Sequence, residues 1–111
     1  MKYEVIVSDL AEDDLVAIVE HVLSTRGVER ALAVQEVLLG ALESLSRNPR
    51  RGHVVPALRR EGITAFRELT TKRWRVVYSV ADKAVHVVAI IDASRDADSL
   101  LRERAARGAT K

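Results

Sequence analysis

Two short segments hold the side chains best placed to do chemistry, Phe66-Arg67-Glu68-Leu69 and Trp74-Arg75-Val76-Val77-Tyr78. Both are rich in β-formers, and side chains along a strand alternate between its two faces. Trp74, Val76, Tyr78 and Val80 therefore share one face, and Arg75, Val77 and Ser79 the other. The aromatic set is the better core candidate, which turns Arg75 away from any packed helices. Arg67 and Arg95 join it there if the strand registers allow. Guanidinium groups converging on an open sheet face make a bidentate receptor for phosphate or carboxylate. The competing arrangement is a ladder of ion pairs, with Arg67 or Arg75 held by Glu68 or Asp92. Glu68 accordingly reads either as a general base or as an ion-pair partner.

The three histidines, His21, His53 and His86, form no metal-binding constellation, since none has a second ligand at suitable spacing. His53 lies in a basic stretch and either transfers protons near neutral pH or is simply solvated. The chain has no glycine-rich phosphate loop, no Ser/His/Asp arrangement and no cysteine nucleophile. No cofactor is expected.

The elements that must position these groups can be read from periodicity. Tyr3–Val7 alternates as a strand. Ser8 or Asp9 caps a helix whose first turns carry Asp9, Glu12, Asp13 and Asp14, where negative charge suits the helix dipole. Leu15, Ile18, Val19, Val22 and Leu23 give it one apolar face, and Gly27 supplies the stop. A second helix spans Val28–Arg47 with a stripe of Ala31, Val34, Leu38, Ala41, Leu42 and Leu45, ended by Asn48-Pro49. So short a connection makes the two an antiparallel hairpin. Residues 50–62 read as irregular and basic. Strands follow at Ala65–Thr70, Trp74–Val80 and Ala84–Ile91, the last two joined by a turn at Asp82-Lys83.

The third of these strands is apolar on both faces, with Val85, Val87, Ala89 and Ile91 on one and Val88 and Ile90 on the other, so it belongs mid-sheet. A cap at Ser94–Asp96 opens a final helix carrying Leu100, Leu101 and Arg104. The expected order is β-α-α-β-β-β-α, an α+β fold in which the hairpin packs on one face of the sheet. It fills a single domain over residues 1–107, with a frayed tail at 108–111.

Bulk properties narrow the function classes. At 111 residues and 48% hydrophobic composition the chain is one globular unit. No apolar run reaches the roughly 18 residues of a membrane span, and with no long apolar stretch near Met1 no secretory signal is expected. Zero cysteines suit a reducing cytoplasm. The net charge of +2 conceals an asymmetry, −5 over residues 1–47 and +7 over residues 48–111. A basic half is the footprint of a polyanion or an acidic protein partner, or else a set of solvated arginines.

This order of elements, with "SDLAEDDL" at Ser8–Leu15, "NPRRG", "FREL", "WRVVYSV" and "IIDASRDADSLLRER", resembles the RelE/ParE superfamily of type II toxin–antitoxin toxins, also called plasmid stabilisation proteins. The resemblance spans residues 3–104. It implies an antiparallel sheet flanked by the two N-terminal helices, and a cognate antitoxin wrapped over the toxin. RelE-like members cut messenger RNA in the ribosomal A site, whereas ParE-like members inhibit DNA gyrase. In the RelE-like pattern two sheet-face arginines match Arg75 and Arg95. A lysine pair matches Phe66 and Glu68, and a C-terminal tyrosine matches Leu101. The phosphate-binding half of that site is kept and the proton-transfer half is not.

The resemblance therefore implies a ParE-like growth-inhibiting toxin that acts on a protein target, DNA gyrase first, and is neutralised by an antitoxin. One alternative is a ribosome-dependent mRNA endonuclease using Arg67, Arg75 and Arg95 on phosphate, with Glu68 as base. Another is a degenerate toxin that retains only antitoxin binding. The +7 half suits an acidic, partly disordered antitoxin segment, added as a strand or laid as a helix. Direct DNA binding and membrane association are not expected.

Overall fold

A computed structural model describes residues 2–92 and 98–109. Strand β1 (Glu4–Val7) leads into helix α1 (Asp9–Arg26), and α2 (Val28–Arg47) follows after one residue. Ser8 caps α1 by accepting a hydrogen bond from the Ala11 N–H. Gly27 makes the reversal at φ +93, a conformation that disfavours a side chain. Within α2, Gly40 is exposed, and a Cβ added there would meet nothing within 4 Å. Gly40→Ala is therefore expected to stabilise the fold by about 0.5–1 kcal/mol through helix propensity alone. A thermal melt should rise by a few degrees, and a lower Tm would contradict the open surroundings described.

The basic stretch, expected to be irregular, contains a two-residue strand β2 (His53–Val54) and one helical turn α3 (Pro56–Arg59). Pro56 starts the turn at a position where no N–H is needed. Strands β3 (Phe66–Thr71), β4 (Trp74–Ala81) and β5 (Ala84–Asp92) follow, then α4 (Asp98–Ala109). Asp82 and Lys83 both take positive φ, as a tight two-residue hairpin requires. The cap expected at Ser94–Asp96 lies outside the described residues.

The five strands form one sheet in the order β1-β5-β4-β3-β2, so β5 is interior as its two apolar faces require. Every pairing is antiparallel except β1 with β5, which is parallel. The wholly antiparallel sheet expected from the sequence is corrected on that one pair. β1 reaches β5 only after the chain has passed through both helices and three other strands, so no tight turn imposes antiparallel pairing on it.

A bulge on β5 decides which residues face which side. Tyr78 pairs with Val87 but Val77 pairs with Ala89, leaving Val88 as the extra residue. Beyond it the alternation reverses. Val85, Val87 and Ile90 pack with Trp74, Val76, Tyr78 and the hairpin residues Leu38, Leu42 and Leu45. Val88, Ala89 and Ile91 pack with Phe66 and Val77 against Val55 and Leu58 near α3 and Leu101 and Ala105 of α4. The expected placement of Ala89 and Ile91 alongside Val85 and Val87 is thus overturned. The second sheet face is also not open, because α3 and α4 cover part of it.

Where β5 runs past the end of β1, its edge is capped by side chains. The Asp14 carboxylate accepts from the Ile90 N–H at 3.0 Å, and Arg104 donates to the Val88 carbonyl at 2.9 Å. The two side chains also bond each other at 2.8 and 3.0 Å, tying α1 to α4. That hydrogen bond to Asp14 holds the Arg104 guanidinium above the ordinary arginine value, against burial, which pulls it down. The stabilisation is complete below the ordinary arginine value and is lost only as pH climbs through the higher folded-state one. No helix among the described residues is long and apolar enough to cross a membrane.

Candidate functional site

Register brings three chemically capable groups together on the sheet face opposite the hairpin. His53 pairs with Glu68, Glu68 with Val77, and Thr70 with Arg75. Paired residues share a face, so His53, Glu68 and Arg75 converge. Arg75 bonds Oε1 of Glu68 through Nη2 at 2.6 Å and Nε at 2.8 Å. The other carboxylate oxygen, Oε2, lies 3.1 Å from Nε2 of His53. The Glu68 and Arg75 side chains are 8% and 17% exposed, whereas His53 is 64% exposed. A carboxylate so far from water is tolerable only because both its oxygens are bonded.

This geometry permits two chemical uses. An imidazole oriented by a carboxylate can carry a proton to or from a bound group. Arg75 can hold an anion only by sharing or exchanging Glu68, which already occupies two of its donors. Of the two arrangements open in the sequence, the ion pair is the one formed at Arg75. Arg67 does not join it. Arg67 pairs with Tyr78 and so points to the hairpin side of the sheet, where its Nη1 donates to the Gly52 carbonyl at 2.7 Å. The convergence of Arg67 with Arg75 is corrected for that reason, since one residue of register separates opposite faces. Arg95 lies outside the described residues.

Behind this site Gly52 is clamped from both directions. Its N–H donates to the Tyr78 hydroxyl at 2.9 Å, and its carbonyl accepts from Arg67. Burial pushes the Tyr78 hydroxyl above its usual range, and the Gly52 N–H and the charges of Arg67 and Arg50 only partly offset this. The neutral phenol is therefore favoured by folding, so stability is full below the ordinary tyrosine value and falls as pH rises beyond about 10. Tyr78→Phe is expected to cost about 1–2 kcal/mol at neutral pH by orphaning the Gly52 N–H. In alkaline titrations that deficit should shrink. A gap that stays constant from neutral pH to pH about 11 would contradict it.

The sequence reading weighed His53 only as a proton carrier or a solvated side chain, and did not find its pairing with Glu68. A two-residue strand has no periodicity to detect, although Asn48-Pro49 marks the end of the helix just before it. Among the described residues no group of three or more His, Asp or Glu is arranged to hold a metal ion.

Comparison with known proteins bears on this fold. The chain is similar to a structure of the chromosomal ParDE toxin–antitoxin system from P. aeruginosa, at 20% identity and TM-score 0.68, covering 82% of this chain and 96% of that one. It is similar to the RelBE2 toxin–antitoxin complex from Mycobacterium tuberculosis, at 20% identity and TM-score 0.60, covering 83% and 92%. A double arginine mutant of E. coli toxin RelE in the free state matches at 20% identity and TM-score 0.63, over 96% of this chain and 98% of that one. At such identities the likeness establishes the fold. No curated protein matches the chain. A family model described as the ParE toxin of type II toxin–antitoxin system, parDE, matches residues 5–97. With most of its length matched in this way, the chain belongs to the ParE toxin family of type II toxin–antitoxin systems.

Proposed function

We propose that this toxin acts by binding a protein target, DNA gyrase first, and is neutralised by a cognate antitoxin bearing an acidic segment. The observation that carries the reading is the Glu68–Arg75 pair. A phosphate-cleaving site needs positive charge free to meet the phosphate and groups that move protons. Here Arg75 is engaged at 2.6 Å by a buried carboxylate, and Arg67 lies on the other face of the sheet. Phe66 and Glu68 stand where the RelE-like pattern has its lysines. The match to the ParE family model agrees with this reading.

Purified protein at micromolar concentration is expected to inhibit gyrase supercoiling. Unaffected supercoiling, together with A-site cleavage on programmed ribosomes that is lost in Arg75→Ala, would replace this reading with the RelE-like nuclease. Growth unaffected by expression would favour a degenerate toxin that keeps only antitoxin binding. Affinity for the antitoxin should fall as salt rises from about 0.1 to 1 M, where the screening length shrinks from about 10 to 3 Å. A salt-independent Kd would contradict the acidic partner.

A further inference from the structure

The outer face of the helical hairpin, turned away from the sheet, carries apolar side chains that the fold does not use. Six large hydrophobic residues stand exposed among the described residues, and five of them, Val16, Leu23, Val28, Leu32 and Leu39, lie on α1 and α2 at 46–62% exposure. The sides that the helices pack on the sheet hold other residues, Ala11, Leu15 and Ile18 on α1 and Leu38, Leu42 and Leu45 on α2. The flank of α1 bearing Asp14 meets Arg104 of α4, and the flank of α2 bearing Val37 and Gly40 shares a cavity with Leu69 and Thr71 of β3. The opposite flanks, which hold the exposed five, therefore adjoin along the seam between the two helices. Scattered singly such residues mean little, but a contiguous row marks a binding surface.

Charge decides what covers the seam. Four of these aliphatic residues are each preceded, three positions earlier, by an exposed carboxylate: Asp13 before Val16, Glu20 before Leu23, Glu29 before Leu32 and Glu36 before Leu39. Residues three apart on a helix are surface neighbours, so an acidic row borders the apolar one on each helix. None of these four carboxylates has an ion-pair partner among the described residues, whereas Glu43, next along the same row of α2, is paired with Arg47. We infer that this seam grips the toxin's protein target and that the target offers it a basic amphipathic helix, an inference that rests on the protein-target reading above. Such a helix lays aliphatic side chains along the seam while its lysines and arginines reach the two acidic rows. Nucleic acid and an acidic antitoxin segment meet only repulsion there. A second copy presenting the same face brings carboxylates against carboxylates. The basic half of the chain, +7 over residues 48–111, stays available to the antitoxin, so the two partners are distinguished by opposite charge.

The test takes DNA-free gyrase holoenzyme as its probe and measures its Kd for the toxin by calorimetry. Leu32→Ser/Leu39→Ser and Glu29→Lys/Glu36→Lys are each expected to weaken binding by about tenfold or more, the second also flattening its salt dependence. Both pairs lie outside the core, and affinity for an antitoxin that rescues growth should change by less than about threefold in either variant. In the unmodified toxin, carbodiimide labelling of Asp13, Glu20, Glu29 and Glu36 should fall several-fold when gyrase is bound, with Glu103 on α4 labelled as before. That measurement is independent of how any variant folds. Wild-type gyrase affinity in either variant, or unchanged labelling of the four carboxylates, would overturn the seam assignment while leaving gyrase as the target. Equal losses of gyrase and antitoxin affinity would overturn it as well, giving the seam to the antitoxin. Self-association abolished by Leu32→Ser/Leu39→Ser, with gyrase affinity intact, would give it to a second copy of the chain. A toxin that neither binds gyrase nor inhibits supercoiling would overturn the target reading and this inference together.

Discussion

Replacing Glu68 by alanine is expected to destabilise the protein by about 3–5 kcal/mol, a large share of the 5–15 kcal/mol that holds a domain of this kind together. The loss comes less from the missing attraction than from what is left behind. Arg75, 17% exposed, keeps its charge on a sheet face partly covered by α3 and α4, with no acceptor at Nε or Nη2. The companion variant Glu68→Leu/Arg75→Met removes both charges and keeps most of the volume, so it should recover much of the deficit. Urea denaturation of the two variants and their parent measures both quantities. A double variant as unstable as Glu68→Ala would mean that the pair itself, and not an uncompensated charge, is what the fold depends on.

Gly52→Ala is expected to cost about 3 kcal/mol or more, although the new methyl is small and helix propensity plays no part. A Cβ at Gly52 would lie 2.5 Å from the Glu68 carbonyl oxygen, 2.7 Å from the Tyr78 hydroxyl and 2.8 Å from the Glu68 carbonyl carbon. Two of those atoms belong to the backbone of β3 and cannot yield without shifting the strand. Making room for the methyl pulls β2 outward, which lengthens the Gly52–Tyr78 and Arg67–Gly52 hydrogen bonds and separates His53 from Glu68. Gly40→Ala should move stability in the opposite direction, so the pair of substitutions separates close packing from backbone entropy. Equal denaturation midpoints for Gly52→Ala and the parent would show that the β2–β3 contact is looser than described.

How these effects arise marks the limit of what the chain's pattern discloses. Helical periodicity located α1 and α2 to within a residue or so, because an apolar stripe every three or four positions is a local property. Ser8 and Gly27 marked their ends for equally local reasons. Strand alternation correctly placed Arg75 opposite the aromatic face of β4. The basic stretch was different. His53 and Val54 form a strand by pairing with Glu68 and Arg67, and Val55, which opens α3, donates to the Phe66 carbonyl; these partners lie more than ten residues away, and no periodicity announces such pairings.

From sequence alone, then, came the α+β order of elements, the hairpin on one sheet face, the interior position of β5 and the resemblance to the RelE/ParE toxins. The first three follow from composition, spacing or capping read along the chain, and the resemblance from motifs such as "FREL" and "WRVVYSV" in that order. Only the tertiary structure decided that β1 runs parallel to β5, that Val88 bulges and reverses the faces beyond it, that Arg67 and Arg75 lie on opposite sides, and that Glu68 joins His53 to Arg75. These are questions of register between distant segments, settled by which backbone groups find partners when the whole sheet closes. A shift of one residue exchanges the two faces without altering any local pattern.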